Sequence, residues 1–198
     1  ARYARLFDNF PLDRLWQLTG VRHLLTWRRE LFAPGQSELL AEFPQQNDTT
    51  YLHRLTAANP RAWAVRQLLP TDDERALKLL ADHSVNLAEV ALLAPEHAAQ
   101  TVTYPPGALT LNVQRLTNNR LQVAVKTANP AFLVISENWL PGCQVVRAVC
   151  ASAGQACPTD SPANGLATFT PYRTNLSFLG VAVPAGDSRF ELLYSRDE

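Results

Sequence analysis

The sequence predicts an α+β fold, with an antiparallel β-sandwich (jelly-roll-like) in the C-terminal half and a smaller helix-and-strand N-terminal region. From Val90 onward, apolar residues alternate with polar ones at a period of two, in short segments separated by turns rich in Pro and Gly. Many short segments of this kind are typical of a sandwich or barrel. The helical patterns lie earlier in the chain. We therefore expect an α/β region over 1–98, packed on a sandwich over 99–198.

Two helices are expected in the N-terminal region. Residues 11–19 begin at a proline, place their apolar side chains on one face and are followed by Gly20, which can end a helix. The run Thr71-Asp-Asp-Glu74 is a capping box ahead of a second apolar stripe. The second helix should begin there and end near Asp82. The acidic cluster at its start is explained by the helix dipole.

The remaining apolar segments are predicted strands. In the N-terminal region they cover 21–27, 38–43, 50–56 and 61–69. In the sandwich they cover 109–113, 121–125, 132–135, 145–149, 166–169, 176–183 and 190–194. Asn118-Asn119 can form the turn of a hairpin between the first two strands of the sandwich.

The stretch that begins at Phe132 suggests both a buried strand and a binding site. The run from Phe132 to Ile135 is continuously apolar, which is typical of a strand buried on both faces. Glu137, Asn138 and Trp139 follow it. A carboxylate and an amide can bind sugar hydroxyls, and an aromatic ring can stack on a sugar face, so these three are candidate ligand-binding residues. Alternatively, Glu137 accepts hydrogen bonds from backbone amides of the next turn and Trp139 is a core or rim aromatic.

Composition narrows the function classes. The chain has 198 residues, 46% of them hydrophobic, which is enough to bury a substantial core. Its 18 basic residues balance 18 acidic ones, so a nucleic-acid partner is not indicated. No apolar run is long enough to cross a membrane. Met is absent even at position 1, so we expect a processed chain or a piece of a larger protein.

No motif in the sequence predicts catalysis or a metal site. A nucleophile elbow, a His-Glu-x-x-His helix and a phosphate-binding Gly-rich loop are all absent. The four histidines are scattered singly, and no cysteine has metal-ligand spacing to a histidine. We expect no catalytic residue, no metal and no cofactor in this chain. The pair Arg28-Arg29 fits either a solvated turn or contact with lipid phosphates.

The three cysteines allow two interpretations. Cys150 and Cys157 flank a short turn of small residues, so two strands joined by that turn could bring their sulfurs into range. Three unpaired thiols, including Cys143, in a reducing compartment are the alternative.

Several short motifs follow one another in the order and spacing of a known family. They are Leu18-Thr-Gly-Val-Arg-His-Leu-Leu25, Asn59-Pro-Arg-Ala-Trp-Ala-Val65, Leu79-Leu-Ala-Asp82, Phe132-Leu-Val-Ile-Ser-Glu137, Trp139-Leu-Pro-Gly142, Val181-Ala-Val-Pro-Ala-Gly186 and Phe190-Glu-Leu-Leu-Tyr194. In these motifs nearly the whole chain resembles the C-terminal extracytoplasmic domain of YfhO-like bacterial multi-spanning membrane proteins, which belong with the lipid-linked-sugar glycosyltransferases. Where that family usually has Trp after Pro-Gly, this chain has Cys143.

The resemblance implies a soluble accessory domain of a membrane glycosyltransferase-like protein, on the extracytoplasmic (periplasmic or extracellular) face of the bacterial cytoplasmic membrane. The domain would position a glycan or cell-wall-polymer acceptor, or brace the membrane part. The implied partners are the membrane-spanning part of the parent protein and a glycan or lipid-linked acceptor. In this superfamily the catalytic acid lies between early membrane spans, so we expect no catalysis from this chain alone.

The implied location also bears on the cysteines. An oxidising compartment favours a Cys150–Cys157 disulfide, with Cys143 free and facing inward. The alternative function is a stand-alone secreted carbohydrate-binding or adhesin-like β-sandwich module.

Overall fold

The computed structural model describes residues 10–31, 35–97, 100–150 and 169–194, and strands hold 52% and helices 10% of these. The helices are α1 (Leu12–Thr19) and α2 (Asp73–Ala81). The strands in the described ranges are β1 (His23–Thr26), β2 (Ser37–Pro44), β3 (Thr49–Leu55), β4 (Ala62–Val65), β5 (Gln67–Pro70), β6 (Val90–Leu93), β7 (Val102–Thr103), β8 (Leu109–Thr117), β9 (Arg120–Thr127), β10 (Ala131–Asn138), β11 (Cys143–Cys150), β12 (Pro171–Thr174), β13 (Phe178–Val183) and β14 (Gly186–Tyr194). The predicted α+β fold, with an antiparallel sandwich-like arrangement and a smaller helix-and-strand N-terminal region, is confirmed, and strands predominate in it.

The strands form three sheets. The first has three strands in the order β1-β3-β2, the second has seven in the order β4-β10-β13-β12-β6-β5-β7, and the third has four in the order β11-β14-β9-β8. Within the described ranges, every pairing is antiparallel except that of β5 with β6. The helix α2 connects this parallel pair, as a parallel pair requires a crossover.

The core of the sandwich lies between the seven-stranded and four-stranded sheets. Inward-facing residues of β9 and β14, such as Val123 and Phe190, belong to the same buried cluster as Leu133 of β10 and Val181 of β13. All four are fully buried, so the two sheets bury a shared apolar layer. This layer is the main stabilising contact between them, because apolar burial contributes about 25 cal/mol per Å².

A second core covers the opposite face of the seven-stranded sheet. Phe132 and Val134 of β10 belong to a cluster that also contains Leu18 of α1 and Leu80 of α2. Their neighbours Leu133 and Ile135 face the sandwich core. All four residues from Phe132 to Ile135 are fully buried. The prediction of a strand buried on both faces is therefore confirmed, and the sheet is the central layer of three.

Gly180 of β13 lies where these layers are tightest. It pairs with Val134 of β10 across the seven-stranded sheet. A Cβ atom at this position would lie 2.3 Å from Cζ of Phe132, which is far inside van der Waals contact. Because Phe132 is fully buried, it has no space into which to move. The sequence therefore requires glycine here for close packing.

Several predicted boundaries need correction. The segment 61–69 is two strands, β4 and β5, separated at Arg66. The N-cap of α2 is Asp72, not Thr71: the Asp72 carboxylate accepts a 2.8 Å hydrogen bond from the Arg75 amide. Thr71 is extended because its amide donates to the Leu93 carbonyl at 2.9 Å, which continues the β5–β6 pairing.

Two predicted strands in the C-terminal half also differ. Strand β13 begins at Phe178 rather than at Leu176, since Asn175 and Leu176 have positive φ angles of 46° and 68° and form the turn after β12. The strand predicted over 166–169 falls mostly outside the described residues, and Phe169 lies in a turn. The predicted regions 1–98 and 99–198 share the seven-stranded sheet, which takes β4, β5 and β6 from the first and its other strands from the second.

Candidate functional site

Polar side chains close the sandwich core at one end. The inward row of β8 runs through Leu111 and Val113, which pack against the core, and reaches Arg115. The inward row of β10 runs through Leu133 and Ile135 and reaches Glu137. Two apolar rows on facing sheets thus end in residues of opposite charge.

Glu137 binds two arginines at this end. Its Oε1 atom accepts a 2.6 Å hydrogen bond from Arg61, which precedes β4, and a 2.5 Å bond from Arg115 of β8. The Glu137 side chain is 20% exposed, whereas the two arginine side chains are 41% and 39% exposed. The donors to Glu137 are thus guanidinium groups in place of the turn amides expected from its structural interpretation, and its ligand-binding role stays a prediction. We call Arg61, Arg115 and Glu137 the rim cluster.

The other two candidate ligand-binding residues lie beside the rim cluster. Asn138 is the exposed last residue of β10 and pairs with Phe178 after a bulge. Trp139 is half-buried against the sandwich core, and its backbone amide donates to the Ser177 carbonyl at 2.7 Å. Of the three residues, only Asn138 therefore has its side chain mainly in solvent.

Two further groups lie behind the rim cluster. Tyr194 ends β14 and pairs in register with Cys143 at the start of β11. Burial raises the pKa of the Tyr194 phenol, and the nearby Cys143 and Glu137 raise it further. Burial likewise raises the pKa of the Cys143 thiol to about 11. Both groups are therefore neutral at pH 7, and Cys143 is a poor nucleophile.

The structure describes two of the three cysteines in the disulfide prediction, Cys143 and Cys150. Cys143 is a free, half-buried cysteine, and Cys150 is disulfide-bonded. Cys157 lies outside the described residues, so the Cys150–Cys157 pairing stays a prediction.

The outer face of the four-stranded sheet carries a polar groove of about 550 Å³. One row of register partners across the sheet reads Gln114, Gln122, Glu191 and Arg147, one residue from each strand. Gln122, Glu191 and Arg147 line this groove, which we call the outer groove, whereas Gln114 continues the row on β8 without lining it. Amide, carboxylate and guanidinium groups therefore lie side by side on one face, where they can donate and accept hydrogen bonds.

Two arginines give the outer groove an excess of donors. Nζ of Lys126 lies 3.7 Å from Oδ2 of Asp187, and Nε of Arg120 forms an ion pair with Oε2 of Glu191 at 2.9 Å. None of the ion pairs between described residues includes Arg147 or Arg189, which are both exposed in the groove. Their guanidinium groups are suited to bidentate recognition of carboxylate or phosphate groups.

The three-stranded sheet exposes an apolar face. Leu25, Leu52 and Ala41 are register partners across its three strands. Phe43 lies one step further along the same face and Trp27 directly follows β1; Leu25, Trp27 and Phe43 are 65%, 74% and 47% exposed. Contiguous apolar side chains with this exposure usually mark a surface that another molecule covers.

The described ranges contain neither a cluster of metal-ligating side chains nor a helix with the length and apolarity to span a bilayer. Sequence reasoning missed Arg61, Arg115 and the outer groove. The alternation of Leu109, Leu111 and Val113 extends to Arg115, so the sequence does indicate that Arg115 lies on the inward face at the end of this row.

Comparison with known proteins gives no relative. No protein-family model matches the chain, and neither a curated protein nor a solved structure matches it. The function must therefore be inferred from the chain's own residues.

Proposed function

We propose that this chain is an extracytoplasmic accessory domain of a membrane glycosyltransferase-like protein and that it binds a glycan or cell-wall-polymer acceptor in the outer groove. The observation that carries the proposal is the polar row of Gln122, Glu191 and Arg147, which lie on three neighbouring strands and line the groove. A glycan presents hydroxyl groups at regular intervals along an extended chain. A row of side chains that both donate and accept hydrogen bonds is complementary to such a ligand.

The charge of the groove favours a subset of glycans. Arg147 and Arg189 contribute guanidinium donors, while the neighbouring acids are engaged by Lys126 and Arg120. The preferred ligand is therefore a glycan with acidic substituents, such as carboxylates or phosphodiesters. Binding through these groups should weaken as the salt concentration rises.

The exposed face of the three-stranded sheet supports a position within a larger protein. Leu25 and Phe43 lie on this face and Trp27 directly follows β1; all three are at least 47% exposed, which would be unfavourable in a free-standing domain. We infer that the membrane-spanning part of the parent protein covers this face. A photo-crosslinker placed at Trp27 in the full-length protein should then attach to the membrane part, and attachment only to a second copy of the chain would contradict this.

The alternative function is a stand-alone secreted carbohydrate-binding or adhesin-like module. The outer groove supports it equally, whereas the exposed apolar face favours the accessory domain. The complete reading frame discriminates between the two, because the accessory domain requires several apolar spans in the same polypeptide. Titration of the purified chain with acidic and neutral oligosaccharides tests the glycan binding that both functions share.

A further inference from the structure

A second concave site lies on the other side of the molecule, between α1, the segment after α2 and the end of the three-stranded sheet. It has a volume of about 320 Å³, within the range of small-molecule pockets. Asp13, Trp16 and Gln17 line it from one face of α1, and His83 and Asn86 line it from the segment after α2. We call this site the helix pocket.

A buried arginine holds the helix pocket together. Arg14 is 5% exposed, and its guanidinium donates to the carbonyls of Leu80 and Val85, at 2.9 Å each, and to Oε1 of Gln17 at 2.8 Å. Burial lowers the pKa of Arg14, and the nearby Asp13 and Asp82 partly offset this effect. Arg14 therefore fixes α1 against the segment after α2, so the walls of the pocket are set before any ligand binds.

A polar pair closes one side of the helix pocket. Nε2 of His83 lies 2.6 Å from Oδ2 of Asp13, and the two side chains are 62% and 30% exposed. Gln36, which precedes β2, is exposed and also lines the pocket. Oε1 of Gln17 accepts from Arg14 and Oδ1 of Asn86 accepts from the Ala88 amide, so these two side chains offer mainly their NH2 donors, while Gln36 carries both a donor and an acceptor.

The composition of the lining points to a neutral polyhydroxyl ligand. The charges of Asp13 and Arg14 cancel, so an isolated phosphate or ammonium group has no unopposed counter-charge. An indole ring lies beside three side-chain amides, whose NH2 groups can donate to a ligand, so the lining combines an apolar surface with hydrogen-bonding groups. A pyranose ring has the matching properties, with an apolar face and a rim of hydroxyls, and it fits within the available volume.

We propose that the helix pocket binds one neutral sugar residue or a cyclic polyol of similar size. The site is separate from the outer groove, so this proposal goes beyond the function proposed above and does not depend on it. The ligand is either a free sugar or the terminal residue of a longer glycan, since both present the same ring.

The test uses the indole N–H signals of the four tryptophans in ¹⁵N-labelled protein. The probes are glucose, galactose, mannose, N-acetylglucosamine and myo-inositol, followed by the trisaccharide of whichever sugar binds. We expect at least one probe to shift the Trp16 signal saturably while the Trp139 signal stays in place. If only the free sugar shifts the signal, the ligand of the pocket is a free sugar. If the trisaccharide shifts it equally, the ligand is the terminal residue of a longer glycan.

Gln36→Ala is the diagnostic variant, with Gln46→Ala as its matched control. In the described hydrogen bonds Gln36 uses only its backbone carbonyl, so the variant should fold normally. Loss of one hydrogen bond should weaken binding about fivefold. Gln46 lies in the turn between β2 and β3, away from the pocket, and its variant should bind as the parent does.

Either of two results overturns the proposal. One is that none of the probes shifts the Trp16 signal at any concentration up to solubility. The other is that Gln36→Ala and Gln46→Ala bind with the same affinity as the parent. If the outer groove binds no glycan, the Trp16 signal and the effect of Gln36→Ala are unaffected. Failure of one proposal can therefore be distinguished from failure of the other.

Discussion

Arg115 and Glu137 lie on different sheets of the sandwich and are joined by a 2.5 Å hydrogen bond from Nη2 of Arg115 to Oε1 of Glu137. Each is the polar end of an otherwise apolar inward row. Arg61 reaches the same carboxylate oxygen from the start of β4, the edge strand that pairs with β10. Glu137 therefore connects the two sheets at the end where the apolar core stops.

Removal of Glu137 should destabilise the fold. We expect Glu137→Ala to lower the free energy of unfolding by about 1–2 kcal/mol, because two guanidinium groups lose a shared acceptor that is only 20% exposed. Arg115→Ala should cost less, and a double-mutant cycle should give a coupling energy of about 0.5–1 kcal/mol. Urea denaturation measures all three values.

Glu42 provides the matched control for Glu137. It pairs with Arg29 at 2.9 Å, but both side chains are more than 40% exposed. Glu42→Ala should leave the melting temperature nearly unchanged. If Glu137→Ala is as stable as Glu42→Ala, the rim cluster has no structural role.

Gly180 should tolerate no side chain while Phe132 is present. Gly180→Ala places a Cβ atom 2.3 Å from the buried Phe132 ring, so we expect a cost of about 1–3 kcal/mol in the free energy of unfolding. Combining it with Phe132→Leu should recover part of that cost, because the smaller side chain leaves room for the methyl group. Strict additivity of the two substitutions would show that the clash is not the cause.

Cys143 should react slowly in the folded protein and make stability depend on pH. Because burial raises the pKa of the Cys143 thiol to about 11, the folded state keeps its proton when the unfolded state, with a pKa near 9, has lost it. The contribution to stability is thus complete below pH 9 and decreases as the pH rises toward 11.

Comparison with Cys143→Ser isolates this contribution from those of the buried tyrosines. The melting temperature of the parent should fall more steeply between pH 9 and 11 than that of the variant. Alkylation by iodoacetamide at pH 8 should become fast only when the protein is unfolded. Equal melting curves and rapid alkylation of the folded protein would contradict the burial of this thiol.

Trp139 should contribute to stability rather than to binding in the outer groove. Its ring is half-buried on the sandwich core, so Trp139→Ala should cost about 2 kcal/mol. Glycan affinity should not change, because Trp139 does not line the outer groove. The opposite pattern, with unchanged stability and lost affinity, would restore Trp139 as a ligand-binding residue.

Local patterns in the sequence predicted the elements well. The α1 helix ends at Gly20 in a left-handed conformation, as expected, and the hairpin at Asn118-Asn119 joins β8 and β9. The run from Phe132 to Ile135 revealed a strand with both faces buried. These features depend on residues close in the chain, whose spacing alone fixes the structure.

Lateral order and long-range pairing were not predictable. Arg61, Arg115 and Glu137 meet because β4 and β13 flank β10 and because β8 lies on the facing sheet. Nothing in a short window specifies these neighbours. The outer groove was unpredictable for the same reason. The alternation in each strand indicates which polar residues face outward, but only the strand order β11-β14-β9-β8 brings those residues side by side.

Glycan binding by the outer groove is most directly tested by titrating the chain with acidic and neutral oligosaccharides at two salt concentrations. The variants Arg147→Ala and Arg189→Ala are compared with Arg28→Ala, which removes the same charge from an exposed turn outside the groove. We predict that an acidic oligosaccharide binds, that the two groove variants each weaken binding about tenfold, and that Arg28→Ala and Asn138→Ala do not. Absence of binding to any oligosaccharide, or equal binding by all four variants, would contradict the account.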